Sequence, residues 1–100
     1  MMINQGDTVS VLEGAGSIID GIFTGEKSEG MFAILVDTNK TVFKRMNNIF
    51  ENRETAKARW LVRRFKRLQA QGIPSVEIVF TEADRPALEL ATELWPEDMV

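Results

Sequence analysis

Up to residue 50 apolar residues come in short strand-like runs cut by turns, whereas from residue 53 to 71 they recur at every third or fourth position. A strand sends successive side chains to opposite faces, whereas a helix gathers positions i, i+3 and i+4 on one side, so the two halves demand different structures. In the first half, GDTVSV places Val9 and Val11 on one face, LEGAGS supplies a turn, SIIDGIF follows, and TGEKSEG reads as a polar, flexible break before MFAILVD. Asp37-Thr38-Asn39-Lys40 has hairpin-turn chemistry, and TVFKRM continues as a fourth strand. Six of the seven glycines fall in the first thirty positions, where a small curved sheet needs tight bends.

The second half carries helix punctuation. Asn52 is an N-cap for a helix from Arg53 to Gln71, Gly72 is its C′ stop and Pro74 forbids continuation. SVEIVF alternates as a strand over residues 75–80. Thr81-Glu82-Ala83-Asp84 resembles a capping box with the shorter acid, Pro86 is tolerated in a first turn, and the second helix should run to about Trp95 before Pro96 ends it. The change near residue 51 is one of structural type rather than a flexible joint. The expected domains are thus residues 1–50 and a helix–strand–helix extension over 51–100, packed together as one compact α+β domain.

With 100 residues, 44% hydrophobic and 27% charged, the chain has the composition of a folded soluble domain. It contains neither Cys nor His. That removes disulfides, thiolate nucleophiles and the commonest general base, and counts against zinc, Ser-His-Asp and Cys-His chemistry. No metal site or cofactor is expected. Gly14-Ala15-Gly16 is a lone G-x-G entering a strand, which is no phosphate cradle. The acids Asp7, Glu13, Asp20 and Asp37 have no spacing that singles them out, so the expectation is a non-enzyme. There is no apolar run of 18 residues, and MMINQGDTVS lacks the basic head and apolar middle of a secretion signal, so a cytoplasmic protein without membrane contact is expected.

Taken together, GDTVSV, GSIIDGIFTG, MFAILVD and TVFKRMNNIF resemble a small SH3-like barrel of the KOW or Tudor kind over residues 3–50. Gly6-Asp7, the glycines of the first turn, a second strand ending near Gly25 and the closing turn Asn48-Ile49-Phe50 carry the likeness. The resemblance implies an SH3-like β-barrel followed by helix, strand and helix, and a binding role toward RNA, DNA or peptide tails. Type II dihydrofolate reductases are similar in the G-D-x-V opening, but their Val-Gln-Ile-Tyr strand is replaced here by Thr41-Val42-Phe43-Lys44, so that activity is not carried over. Phe23, Phe32, Phe43 and Phe50 are the barrel's aromatics and are expected in its core rather than in a methyl-lysine cage.

Charge is segregated along the chain. Residues 1–39 carry one Lys against six acids, residues 40–67 ten bases against two acids, and residues 68–100 one Arg against seven acids. On the first helix Ala58, Leu61, Val62, Phe65 and Leu68 form the inward arc, and Arg59, Arg63, Lys66 and Arg67 the opposite face. Trp60 sits at the border beside Arg53, Arg64 and Arg67, placed either to stack on a base or to lie under its own arginines. A merely solvated face mixes signs through i,i+4 pairs, yet residues 55–76 contain no acid and Arg outnumbers Lys five to two over 53–67. Three destinations stay open for this face: solvent, nucleic acid, or an acidic protein partner. The candidate binding set is Arg59, Trp60, Arg63, Lys66 and Arg67, with Lys44 and Arg45 beside it.

On the second helix Ala87, Leu88, Leu90, Ala91, Leu94 and Trp95 make a broad apolar arc that should complete the core, with a homodimer interface as its other use. Glu82, Glu89 and Glu93 lie on its far side. If both helices bury their apolar arcs in one core, their charged faces point outward, and a clamp within a single chain is not expected.

Overall fold

The computed structural model describes residues 3–14, 16–74, 78 and 80–99. It is an α+β structure with five strands, β1 (Thr8–Leu12), β2 (Ile18–Ser28), β3 (Met31–Asp37), β4 (Lys40–Lys44) and β5 (Ile49–Phe50), and two helices, α1 (Arg53–Ala70) and α2 (Arg85–Leu94). By its internal contacts the chain divides into two compact units, Met1–Ala56 and Lys57–Val100.

In the first unit the strands form one antiparallel sheet in the order β4-β3-β2-β1-β5. Ile49 and Phe50, expected as a closing turn, are a fifth strand paired with Val11 and Ser10. A 3₁₀ turn, Met46–Asn48, delivers them there. Among the described residues no ladder joins β4 to β5, so strand pairing gives an open sheet rather than the closed barrel expected from the sequence.

The polar stretch TGEKSEG is not a flexible break. β2 continues through it to Ser28, because Lys27 and Ser28 find partners in Phe32 and Met31 across a two-residue turn. Glu29 and Gly30 occupy that turn at φ 52° and 79°. Two successive positive φ angles match the right-handed twist of a hairpin, and this outweighs the absence of alternating apolar residues. The register of β2 against β3 shifts between Phe23 and Lys27, so a single long strand changes direction partway along.

Val9, Val11, Phe23, Ile34 and Ile49 form the buried core of this unit, with Ile3, Phe32, Val36 and Val42 packed on it. Phe23 and Phe32 lie tilted with ring centroids 5.3 Å apart. Phe50 is buried as well, but Phe43 is 47% exposed, contrary to the expected core position. Val42 takes the inward place on β4, and the alternation of a strand then turns Phe43 outward.

Gly21 permits the close crossing of β2 and β3. A Cβ at this position would lie 2.7 Å from Ile34 Cγ2, 2.9 Å from the Leu35 carbonyl oxygen and 3.2 Å from Val36 Cγ1. The Leu35 oxygen is backbone and cannot swing aside, so any side chain at 21 must push the two strands apart.

The second unit is built on α1 and α2. Asn52 Oδ1 accepts hydrogen bonds from the Thr55 amide and hydroxyl, each at 2.8 Å, which satisfies one of the unpaired donors at the helix start. At the other end Gly72, at φ 85°, donates to the Gln69 carbonyl at 3.0 Å while Ile73 donates to Leu68 at 3.1 Å. Those two bonds are a Schellman stop, as the glycine implies. Ala58, Leu61, Val62, Ala87 and Ala91 make the core, joined by Trp60, Phe80, Leu88, Leu90, Trp95 and Met99.

A 3₁₀ turn, Glu82–Asp84, precedes α2, and the Asp84 carboxylate accepts the Thr81 amide at 3.4 Å. Pro86 lies in the first turn of α2, and Pro96 opens a further 3₁₀ turn that reaches Met99. Trp95 belongs to the core, whereas Leu94, expected in the same arc, is 44% exposed because it falls on the outer edge of the last turn. The strand expected over residues 75–80 falls on residues that mostly lie outside the described set.

Gly21→Ala is expected to lower unfolding free energy by about 1–3 kcal/mol in a urea titration, the usual range for forced overpacking. Gly14→Ala is the control, since a Cβ there has nothing within 4 Å. It should leave the midpoint nearly unchanged.

Candidate functional site

The seven basic and aromatic residues singled out by sequence divide between the two units. Lys44 and Arg45 belong to the first unit, and Arg59, Trp60, Arg63, Lys66 and Arg67 to the second. Lys44 is engaged already, its Nζ 2.5 Å from Glu13 Oε2 with both side chains about three-quarters covered. Arg45 is exposed and leads into the 3₁₀ turn without capping it.

Along α1 the basic residues fall into two groups. Near its start, the chain's own acids occupy them. Lys57 Nζ lies 3.3 Å from the Ala83 carbonyl and 3.6 Å from Asp84 Oδ1. The Arg59 guanidinium reaches Asp98 Oδ2 at 3.2 Å and lies over the Trp95 ring, 5.1 Å from its centroid. An intrachain clamp therefore exists, which corrects the expectation that the charged faces could not meet. The acids responsible come from the turns flanking α2, not from its Glu89–Glu93 face. Helix-capping and post-helix turns lean back over the neighbouring helix in a way that a helical wheel does not represent.

Toward the C-terminal half of α1 the guanidinium groups rest on rings. Arg67 lies over Trp60 at 5.6 Å and Arg64 over Phe80 at 5.7 Å. Phe80 also stacks on Phe65, with centroids 6.4 Å apart. Of the two placements open to Trp60, the structure has it beneath an arginine of its own helix. A guanidinium lying over a ring keeps its in-plane N–H donors at the edge, where they remain able to meet an oxyanion. Lys66 is exposed and makes no ion pair among the described residues. Arg63 is half-buried, and burial first, then the charge of Arg59 one turn away, pushes its guanidinium below the usual arginine value. Two like charges spaced i,i+4 repel, and no acid on the helix beyond Glu54 offsets them.

Sequence reasoning missed Arg64 as a member of this face, and Asp98 as the partner that withdraws Arg59 from it. Only the succession Trp95-Pro96-Glu97-Asp98, an aromatic anchor, a helix stop and two acids, signals that second role. Among the described residues no three carboxylates come together as a metal would require, and no helix is long and apolar enough to cross a membrane.

A separate polar network lies in the first unit. Asp20 on β2 accepts the Ser10 hydroxyl at 2.9 Å through Oδ1 and Arg53 Nη1 at 2.8 Å through Oδ2. Arg53 is the first residue of α1, so this carboxylate joins the helix start to the sheet within that unit. The Ser10 hydrogen bond, then Arg53, holds the Asp20 carboxyl below its ordinary value.

Comparison of the chain with protein-family models, with curated proteins and with solved structures finds no match in any of the three.

A carboxyl depressed in the folded state contributes stability that is present above its unfolded pKa and lost as pH falls through the folded one. The Asp20 contribution should thus be complete above the ordinary value of 3.8 and disappear as the solution is acidified below it. Acid titration monitored by circular dichroism should show Asp20→Asn to be less stable than the native chain at neutral pH, with the gap closing below that value. A gap that persists at the lowest pH would refute this role for the ionised carboxylate.

Proposed function

We propose that this chain is a small non-enzymatic binding module that contacts nucleic acid through the C-terminal half of α1. Arg63, Lys66 and Arg67 supply the positive charge, Arg64 flanks them, and Trp60 supplies the aromatic surface beside them. The supporting observation is the division within the helix: Lys57 and Arg59 are engaged by Asp84 and Asp98, while Lys66 is exposed and neither Lys66 nor Arg67 makes an ion pair among the described residues. A row of cations along one helix face suits a phosphate backbone, and an adjacent indole suits a base or ribose. Lys44 drops out of the proposed site because it is paired with Glu13, and the site proposed here is confined to α1.

An SH3-like character of the first unit fits this reading. A four-strand antiparallel meander, β1 to β4, supports it, as do a long second strand that changes register and a 3₁₀ turn that returns β5 to β1. The absence of Cys fits a reducing compartment without requiring one, and the cytoplasm is the compartment we propose.

Fluorescence anisotropy with single- and double-stranded oligonucleotides over a KCl series tests the proposal. With two phosphate contacts, from Lys66 and Arg67, log K should fall against log salt with a slope of about −1.4 to −1.8. Lys66→Glu combined with Arg67→Glu should abolish the signal while leaving the fold intact. An absence of binding at low salt, or binding indifferent to that double substitution, would remove the nucleic-acid reading.

A further inference from the structure

The first unit carries a feature that the proposed function does not use. On the sheet, Thr8, Ile22 and Leu35 stand in one cross-strand row on β1, β2 and β3. Ile22 is 43% exposed, and Leu35 is half-buried beside it. With Gly21 and Val36 these side chains floor an open, predominantly apolar groove of about 380 Å³, and Thr8, Asp20, Asp37 and Thr38 line it as well. The lining thus holds two carboxylates, two hydroxyls and no base.

Three features limit what such a groove accepts. First, β2 and β3, which supply Ile22 and Leu35, are interior strands with ladder partners on both sides of these residues, so no strand can be added over them and recognition must come from side chains. Second, the carboxylates differ in availability. Asp20 is satisfied by Ser10 and Arg53. Asp37 accepts the Thr38 amide and hydroxyl through Oδ1 and makes no ion pair among the described residues, although Lys40 is its register partner. Third, the lining carries two carboxylates and no base; Arg53 offsets Asp20 from outside it, which leaves Asp37 as the charge that complements a cation.

We infer that this groove docks a segment of another protein that sets a bulky apolar side chain on Ile22 and Leu35 and brings a lysine or arginine to Asp37. A volume near 380 Å³ is at the small end of ligand sites and holds an aliphatic side chain or two rather than a large cofactor. The apolar contact supplies affinity, and the carboxylate selects a basic neighbour over an acidic one. The site lies in the first unit and the nucleic-acid face in the second, so the two proposals stand or fall separately.

The test is a titration of the ¹⁵N-labelled full chain with a synthetic amphipathic helix of Leu and Lys, followed by two-dimensional amide spectra, with the Leu–Glu counterpart as control. The Lys peptide should shift the amides of Thr8, Ile22, Leu35 and Asp37, and the Glu peptide should leave them in place. Asp37→Asn, which keeps a side-chain acceptor in the turn, should weaken the Lys peptide by about two- to fivefold, the range of an exposed ion pair. Ile22→Thr, at an exposed strand position, should weaken it as well without unfolding the sheet. Three results would overturn the inference: no movement of the groove amides at millimolar peptide, equal movement with the Glu peptide, or groove shifts that grow with protein concentration alone, which would make a second copy the occupant.

Discussion

A methyl group missing at position 21 governs the architecture of the first unit. Because Gly21 has no side chain, β3 lies against β2 closely enough for Ile34 to reach the buried centre with Val9, Val11, Phe23 and Ile49. On the same strand the neighbouring residue Ile22 faces outward, into the groove floored with Leu35. Core packing and groove are thus two sides of one close crossing. Widening it would cost dispersion contacts inside and change the shape outside.

The second unit is organised by a different constraint. An inward arc of Ala58, Leu61, Val62 and Phe65 leaves six bases on the remainder of α1 beyond residue 56, with no acid among them. Asp84 and Asp98, which flank α2, relieve the first two. Rings add to this: Trp95 lies beneath Arg59 as well, and Phe80 and Trp60 lie beneath Arg64 and Arg67. Aromatic residues in this unit therefore serve both packing and charge dispersal. Each such contact is modest at a partly exposed site, about 0.5–1 kcal/mol, but together they hold the arginines in defined positions.

Features set by local chemistry were legible in the sequence. The Asn52 cap, the Gly72 stop, the Asp37–Lys40 turn and the inward arc of α1 all rest on residues whose backbone preferences or periodicity act within a few positions. What escaped was set by partners distant in the chain. TGEKSEG became strand because Phe32 and Met31 supply a ladder, and a polar segment does not announce its neighbour. Phe43 turned outward because Val42 took the inward place, a choice of register that residue type alone does not make. The pairing of Arg59 with Asp98 spans 39 positions and depends on a turn after α2. The basic face was visible as composition, yet the division between its engaged and available members was not.

The Schellman stop at Gly72 ends α1 only one turn beyond Lys66 and Arg67. A helix end gathers partial negative charge from its last carbonyls, and cations in that turn are favourably placed beside it. Part of the positive potential of Arg67 is therefore offset by its own helix. In the binding role we propose, the helix terminus would act as a built-in attenuator on the grip of the last turn.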